Sequence, residues 1–232
     1  MIKLMELEWR KLERKKVIGE LIIYWAILTF LPTFFLKVVF ADLPTADFNQ
    51  SYSNAMALML PIQMGFVMFG ASLINHVFIE EYKNKTIALS FGYPISRKRL
   101  VTAKAMFIVS AVFICTVISF ALAGIATYAL DRALGVIAGE PSLADIAVYA
   151  FRAIIHSLVV ALASLIPLFC FGLWRRAVVP TVIFAVAIIQ LPTLLGLIQI
   201  SVNPDAMYAT LSLLGLVSAY LSVLTANTLG DL

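Results

Sequence analysis

Charge is scarce in this chain. Asp, Glu, Lys and Arg make up 13% of its 232 residues, while 62% are apolar; an average soluble domain carries about 25% charge. So few polar side chains do not cover the surface of a water-soluble globule of this size, and the mean hydropathy of +0.99 agrees. Alternating strands of about ten residues are absent, which removes an outer-membrane barrel. Cysteine is nearly absent too. Cys115 and Cys170 both fall inside apolar runs, which argues against a disulfide framework and a zinc site and for small apolar core residues. The chain lacks a GxxxxGK[ST] phosphate loop, an HExxH helix and a Gly-x-Ser-x-Gly elbow. No connecting stretch is long enough for a second domain. No tract is of low complexity, and no clear internal repeat is visible.

What is present is a series of long apolar runs. A hydrocarbon core of ~30 Å takes ~20 apolar residues as a helix. Six runs approach or exceed that length, at 17–40, 54–79, 100–129, 148–173, 178–200 and 206–227. The expected fold is all-α: one polytopic membrane domain over 1–232 with six transmembrane helices. The links carry turn chemistry, as in ADLPTADFNQSYS, DRALGVIAGEPSLAD, WRRAVVP and SVNPD.

Orientation follows from the bases. The N-terminal segment, the 80–104 link and the 174–177 link together hold 14 of the 17 Lys and Arg residues, leaving Lys37, Arg132 and Arg152 for the other side. The positive-inside rule puts the basic side in the cytoplasm, and an even span count returns both termini there. Asp42, Asp47, Asp131, Asp145 and Asp205 fall on the opposite side. The net charge of +4 is therefore a topology signal, with no need for nucleic acid as a partner.

Residues 1–16, MIKLMELEWRKLERKK, read as an amphipathic interfacial helix, with Ile2, Met5, Trp9 and Leu12 on one face. Such a helix lies among headgroups, Trp9 at the boundary and its bases on anionic lipid. The expected roles are an elbow that steers the first span or a plain topology anchor. The charges of this segment and the length of the following run do not fit a cleaved signal peptide, so residue 1 is expected to be retained.

The segment EEYKNKTIALSFGYPISRKR at 80–99 is unusually polar for its place between two spans. Residues 80–92 are expected to form a short helix along the membrane. Tyr82, Ile87 and Phe91 would serve as anchors, with Glu81, Lys83, Asn84 and Lys85 toward water. Gly92 and Tyr93-Pro94 end it, and Ser96 caps the next helix. Arg97, Lys98 and Arg99 crowd a positive helix end, which costs a few tenths of a kcal/mol each unless lipid phosphates offset it. A bare topology signal needs only those bases. The added acidic pair and helix read as a docking element for another protein.

Glu81, Tyr82, Lys83, Asn84, Lys85 and Thr86, followed by Pro94, Ile95, Ser96, Arg97, Leu100 and Lys104, resemble the link between the second and third spans of type-2 ABC exporter permeases. The branch they are most similar to is the small permeases of bacitracin and lantibiotic immunity. The resemblance implies a coupling helix in which Glu80 to Thr86 dock into a separate ATPase subunit, whose ATP-driven closure moves the spans. It implies two permeases, identical or paralogous, over two ATPase subunits in a bacterial plasma membrane, with spans 1, 2 and 5 at the seam. ATP and Mg would be bound by the partner; this chain is expected to bind no cofactor or metal and to be no enzyme itself. Larger relatives carry re-entrant helices between the last two spans, for which SVNPD is too short.

An apolar pathway wall suits an amphipathic peptide or a lipid-like cargo, exported as in antimicrobial peptide resistance. Arg175 and Arg176 join Trp9, Arg97, Lys98 and Arg99 as expected interface anchors. Arg152, one turn before His156, could pair with Asp145; Arg152 and His156 are candidates for an outer gate or for interfacial anchoring. His76 and His156 lie at depths too different for a shared haem. Glu20 and Lys37 can snorkel to opposite interfaces. Pro32, Pro61, Pro167 and Pro192 fall within spans, where each frees a carbonyl that neighbours must satisfy. Alternatives from other classes are a membrane-embedded lipid-modifying enzyme, which would need clustered acids and His at one interface, and a non-transporting scaffold.

Overall fold

The computed structural model describes residues 2–34, 59–84, 96–134, 141–197 and 203–227. All regular structure among them is helical. Helix α1 covers Ile2–Lys11, and α2 covers Arg14–Phe34. An interrupted rod follows, made of α3 (Met59–Gln63), α4 (Phe66–Ile74), a π-turn (Asn75–Ile79) and α5 (Glu80–Lys83). Then come α6 (Arg97–Leu134), α7 (Leu143–Ala163), a second π-turn (Leu168–Trp174), α8 (Val178–Leu197) and α9 (Pro204–Leu224).

Four of these stretches are long and apolar enough to cross a membrane among the described residues: Pro61–Lys83, Arg97–Ala133, Leu143–Ala163 and Ala206–Leu224. Helix α8 is apolar over the shorter stretch Val178–Leu191, and α2 carries Arg14, Lys15, Lys16 and Glu20 in its first two turns. Boundaries differ from expectation where polar residues extend a helix beyond the apolar run. Helix α6 starts at Arg97, directly after the expected cap Ser96, and runs on to Leu134, beyond the expected 129. Helix α7 starts at Leu143 because Ser142 and Asp145 close a reciprocal capping box, each side chain serving the other's backbone N–H at 3.1 Å.

Two of the in-span prolines free carbonyls that side chains of other helices fill. Pro32 has no N–H for the carbonyl of Leu28, four residues back; Gln63 Nε2 donates to that oxygen instead, at 3.2 Å. Below Pro167 the second π-turn begins, and Ser218 of α9 fills the gap. Its hydroxyl donates to the Ile166 carbonyl at 2.9 Å and accepts from Phe169 N–H at 3.1 Å.

The interrupted rod is the most enclosed element. Phe66, Val67, Ala71, Ile74, Phe78 and Ile79 are buried, and Phe66 meets Phe69 edge-on with ring centres 6.0 Å apart. Lipid is as apolar as leucine, so close approach must come from small residues. Gly70 faces Ser164 with no room for a β-carbon, Gly215 lies against the carbonyl of Leu162, and Gly172 leans on Ile74. The last contact joins the second π-turn to the end of α4. Large apolar side chains such as Phe30, Ile125, Phe151 and Ile183 point outward, as a lipid-facing surface requires.

Candidate functional site

The polar chemistry gathers at one end, where α1, the end of the interrupted rod, the start of α6 and the 174–177 turn meet. Its hub is Lys104, only 1% exposed. Its ammonium donates to the Val77 carbonyl at 2.7 Å and forms ion pairs with Glu81 Oε2 at 2.8 Å and Glu8 Oε2 at 3.2 Å. The Phe78 ring lies 5.4 Å below the charge. Lys11 sits at the rim and bridges the same acids a second time, 3.4 Å from Glu8 Oε1 and 3.4 Å from Glu81 Oε1. Two carboxylates and two ammonium groups thus balance in an enclosed space. Partial burial works against the Lys11 charge, but Glu8 and Glu81 outweigh it and hold its pKa above the ordinary lysine value.

A second cluster lies beside it. The first π-turn places His76 with Nδ1 3.0 Å from Glu80 Oε2 and Nε2 3.6 Å from Glu20 Oε1. Ser72 donates to Glu20 Oε2 at 2.6 Å, and Asn75 Nδ2 to Glu80 Oε1 at 3.3 Å. This polar group joins α2 to the interrupted rod.

The 174–177 turn completes the end. Arg176 has a left-handed backbone, φ 51°, that lays its guanidinium 4.0 Å from the centre of the Tyr82 ring. Its Nε also approaches the Leu173 carbonyl at 3.4 Å.

Several expectations change. Glu80–Lys83 is the last turn of the rod rather than the start of a separate helix at 80: the backbone passes through Ile79 and Glu80 in helical geometry and leaves it at Asn84, φ −82° and ψ 2°. Lys85 and Thr86, with the rest of the expected coupling helix, lie outside the described residues. Glu81 was expected toward water and is instead turned inward onto Lys104, because that buried ammonium needs counter-charge. Lys83 and Asn84 are exposed, in line with expectation. Arg176 is drawn under the bundle onto Tyr82, whereas Arg175, Lys98 and Arg99 are exposed and Arg97 is half-buried. Trp9 is partly exposed, between Phe107, with ring centres 6.4 Å apart, and the Arg14 guanidinium at 6.0 Å.

Arg152 and His156 sit at the other end and do not join this site. Asp145 serves the α7 cap, and no ion pair links it to Arg152 among the described residues. Arg152 is exposed. His156 is buried edge-on against Tyr208, ring centres 4.9 Å apart.

Glu8, Lys11 and the hub role of Lys104 were not expected. The signal was available: Glu8 is three residues after Met5 and four before Leu12, on the apolar face of α1, and Lys104 begins an apolar run. A charge at such a place needs a partner of opposite sign.

Comparison with known proteins supplies the context. A family described as "ABC-2 family transporter protein" matches residues 4–191, from α1 into α8. "Uncharacterized protein YcbO" of Bacillus subtilis (strain 168) is 40% identical over 126 residues, which are 54% of this chain and 55% of that protein. The chain thus spans about half the length of this curated relative. No solved structure matches it.

Proposed function

Since the chain belongs to the ABC-2 family of transporter proteins, we propose that it is the membrane-spanning permease subunit of an ATP-driven exporter. Its six spans place the basic end and both termini in the cytoplasm of a bacterial cell. ATP is hydrolysed by two copies of a separate ATPase subunit that dock on the segment following Glu80. Two permeases, identical or paralogous, pair above them. The cargo is an amphipathic peptide or a lipid-like molecule.

The observation that carries this reading is the exit of the interrupted rod. Lys83 and Asn84 emerge exposed at the end where the bases collect, within the stretch matched by the family. A rod end exposed there, with its last turn fixed by Lys104, is suited to receive a push from a soluble partner.

The test places one cysteine at Lys83 in a Cys115→Ala/Cys170→Ala background. A membrane-impermeant maleimide is expected to spare it in intact cells and label it in inside-out vesicles. Tagged chain purified from those membranes is expected to carry a P-loop ATPase that hydrolyses ATP. Labelling from outside the cell overturns the reading.

A further inference from the structure

We infer that Lys104 and Glu8 are positioning residues that fuse α1, the last turn of the interrupted rod and the start of α6 into one rigid body, so that a push at Lys83 and Asn84 moves all three together. For its mechanical meaning this rests on the permease reading; the rigid body itself does not.

Three observations lead there. First, the ties run between elements remote in sequence. Lys104 on α6 holds Glu8 on α1 and both Val77 and Glu81 on the rod. Lys11 closes the same circuit from α1 to Glu81. Second, the ties are enclosed. Glu8 is 3% exposed, and buried ion pairs are neither screened nor exchanged with water as surface pairs are. The exposed pair Glu6–Arg10, by contrast, lies within α1 and joins nothing else. Third, α1 packs on α6, through Trp9 on Phe107 as well as the ions, while its connection to α2 is interrupted. The helix stops at Lys11 and restarts at Arg14. Glu20 of α2 reaches the same body through His76 and Ser72, so the foot of α2 rests against it as well.

The experiment places spin labels at Arg10→Cys and Lys83→Cys, in the same cysteine-free background, in the full chain reconstituted in nanodiscs. A single narrow distance is expected, and it is expected to persist in about 1 M salt, where surface pairs are screened. Lys104→Met and Glu8→Gln are each expected to lose the narrow peak, and Glu13→Gln, on an exposed acid, to keep it. Glu8→Gln preserves shape and hydrogen bonding, so it reports even if Lys104→Met does not fold. A broad distribution in the unaltered cluster, or a narrow one that survives Glu8→Gln and Lys104→Met, overturns the inference.

The Arg10–Lys83 pair is also read with the ATPase subunit present, before and after trapping with ATP and vanadate. The distance is expected to stay fixed. A shift overturns the rigid body. Failure to trap nucleotide counts against the permease reading alone, because the narrow peak in the isolated chain is measured without it.

Discussion

The two ends of the bundle are held by different chemistry. At the basic end, four charged groups and the neighbouring His76 cluster tie α1, α2, the interrupted rod and α6 together. At the far end, the ties are neutral or exposed: the Ser142–Asp145 cap, the Tyr149 hydroxyl donating to the Phe120 carbonyl at 2.7 Å, and the His156–Tyr208 ring contact. Buried ion pairs are costly to place and costlier to break singly. Neutral hydrogen bonds and ring contacts are worth less each and cost less to lose singly.

Substitutions sharpen that contrast, beginning with the largest expected effect. Lys104→Met takes from Glu8 and Glu81 their enclosed counter-charge, and the loss expected is ~3–5 kcal/mol, read as a large drop in the unfolding temperature of the detergent-solubilised protein. Equal loss from Arg152→Gln at the far end would erase the distinction between the ends. Between them, Gly215→Val forces a side chain into the Leu162 carbonyl and is expected to cost ~1–3 kcal/mol or more, read in the same assay. Gln63→Leu orphans the Leu28 carbonyl and is expected to cost ~1–3 kcal/mol. Adding Pro32→Ala, which restores an N–H four residues on, is expected to recover part of it; no recovery would mean that Gln63 acts through something else. At the far end, Asp145→Ala removes half of the capping box for ~1 kcal/mol, visible as faster amide exchange in the first turn of α7. Arg152→Gln is expected to stay within ~0.5 kcal/mol.

The pH dependence of the basic end has a definite sign. Lys11 titrates above the ordinary 10.5 because Glu8 and Glu81 outweigh its partial burial. Its contribution is therefore present in full below that value and is lost as pH rises through its higher folded midpoint. Thermal melts in strongly alkaline buffer are expected to fall more steeply for the native chain than for Lys11→Met.

The apolar runs were legible because spanning a bilayer imposes length and composition directly. Span ends were less so. The start of α6 at Arg97 was legible from Ser96 as its cap, but its run on to Leu134, past the expected 129, was not. Glu81 read as solvent-facing by spacing, and no local pattern shows that Lys104, 23 residues later, claims it. The π-turns, whose hydrogen bonds skip one residue further than an α-helix, leave no composition mark of their own. They decide which side of the rod His76 and Glu80 occupy. The match between Gln63 and the carbonyl freed by Pro32 was half legible: proline announces the vacancy, and only packing names what fills it.

Helix α6 is 38 residues in one unbroken piece, which at 1.5 Å per residue makes a rod of ~57 Å. A bilayer with its headgroups is ~45 Å thick. To hide wholly inside, the rod would lean by ~38°, near the limit for membrane helices. At smaller tilts it stands proud of the lipid like a mast through a deck, so whatever grips its foot also moves its masthead in the opposite water.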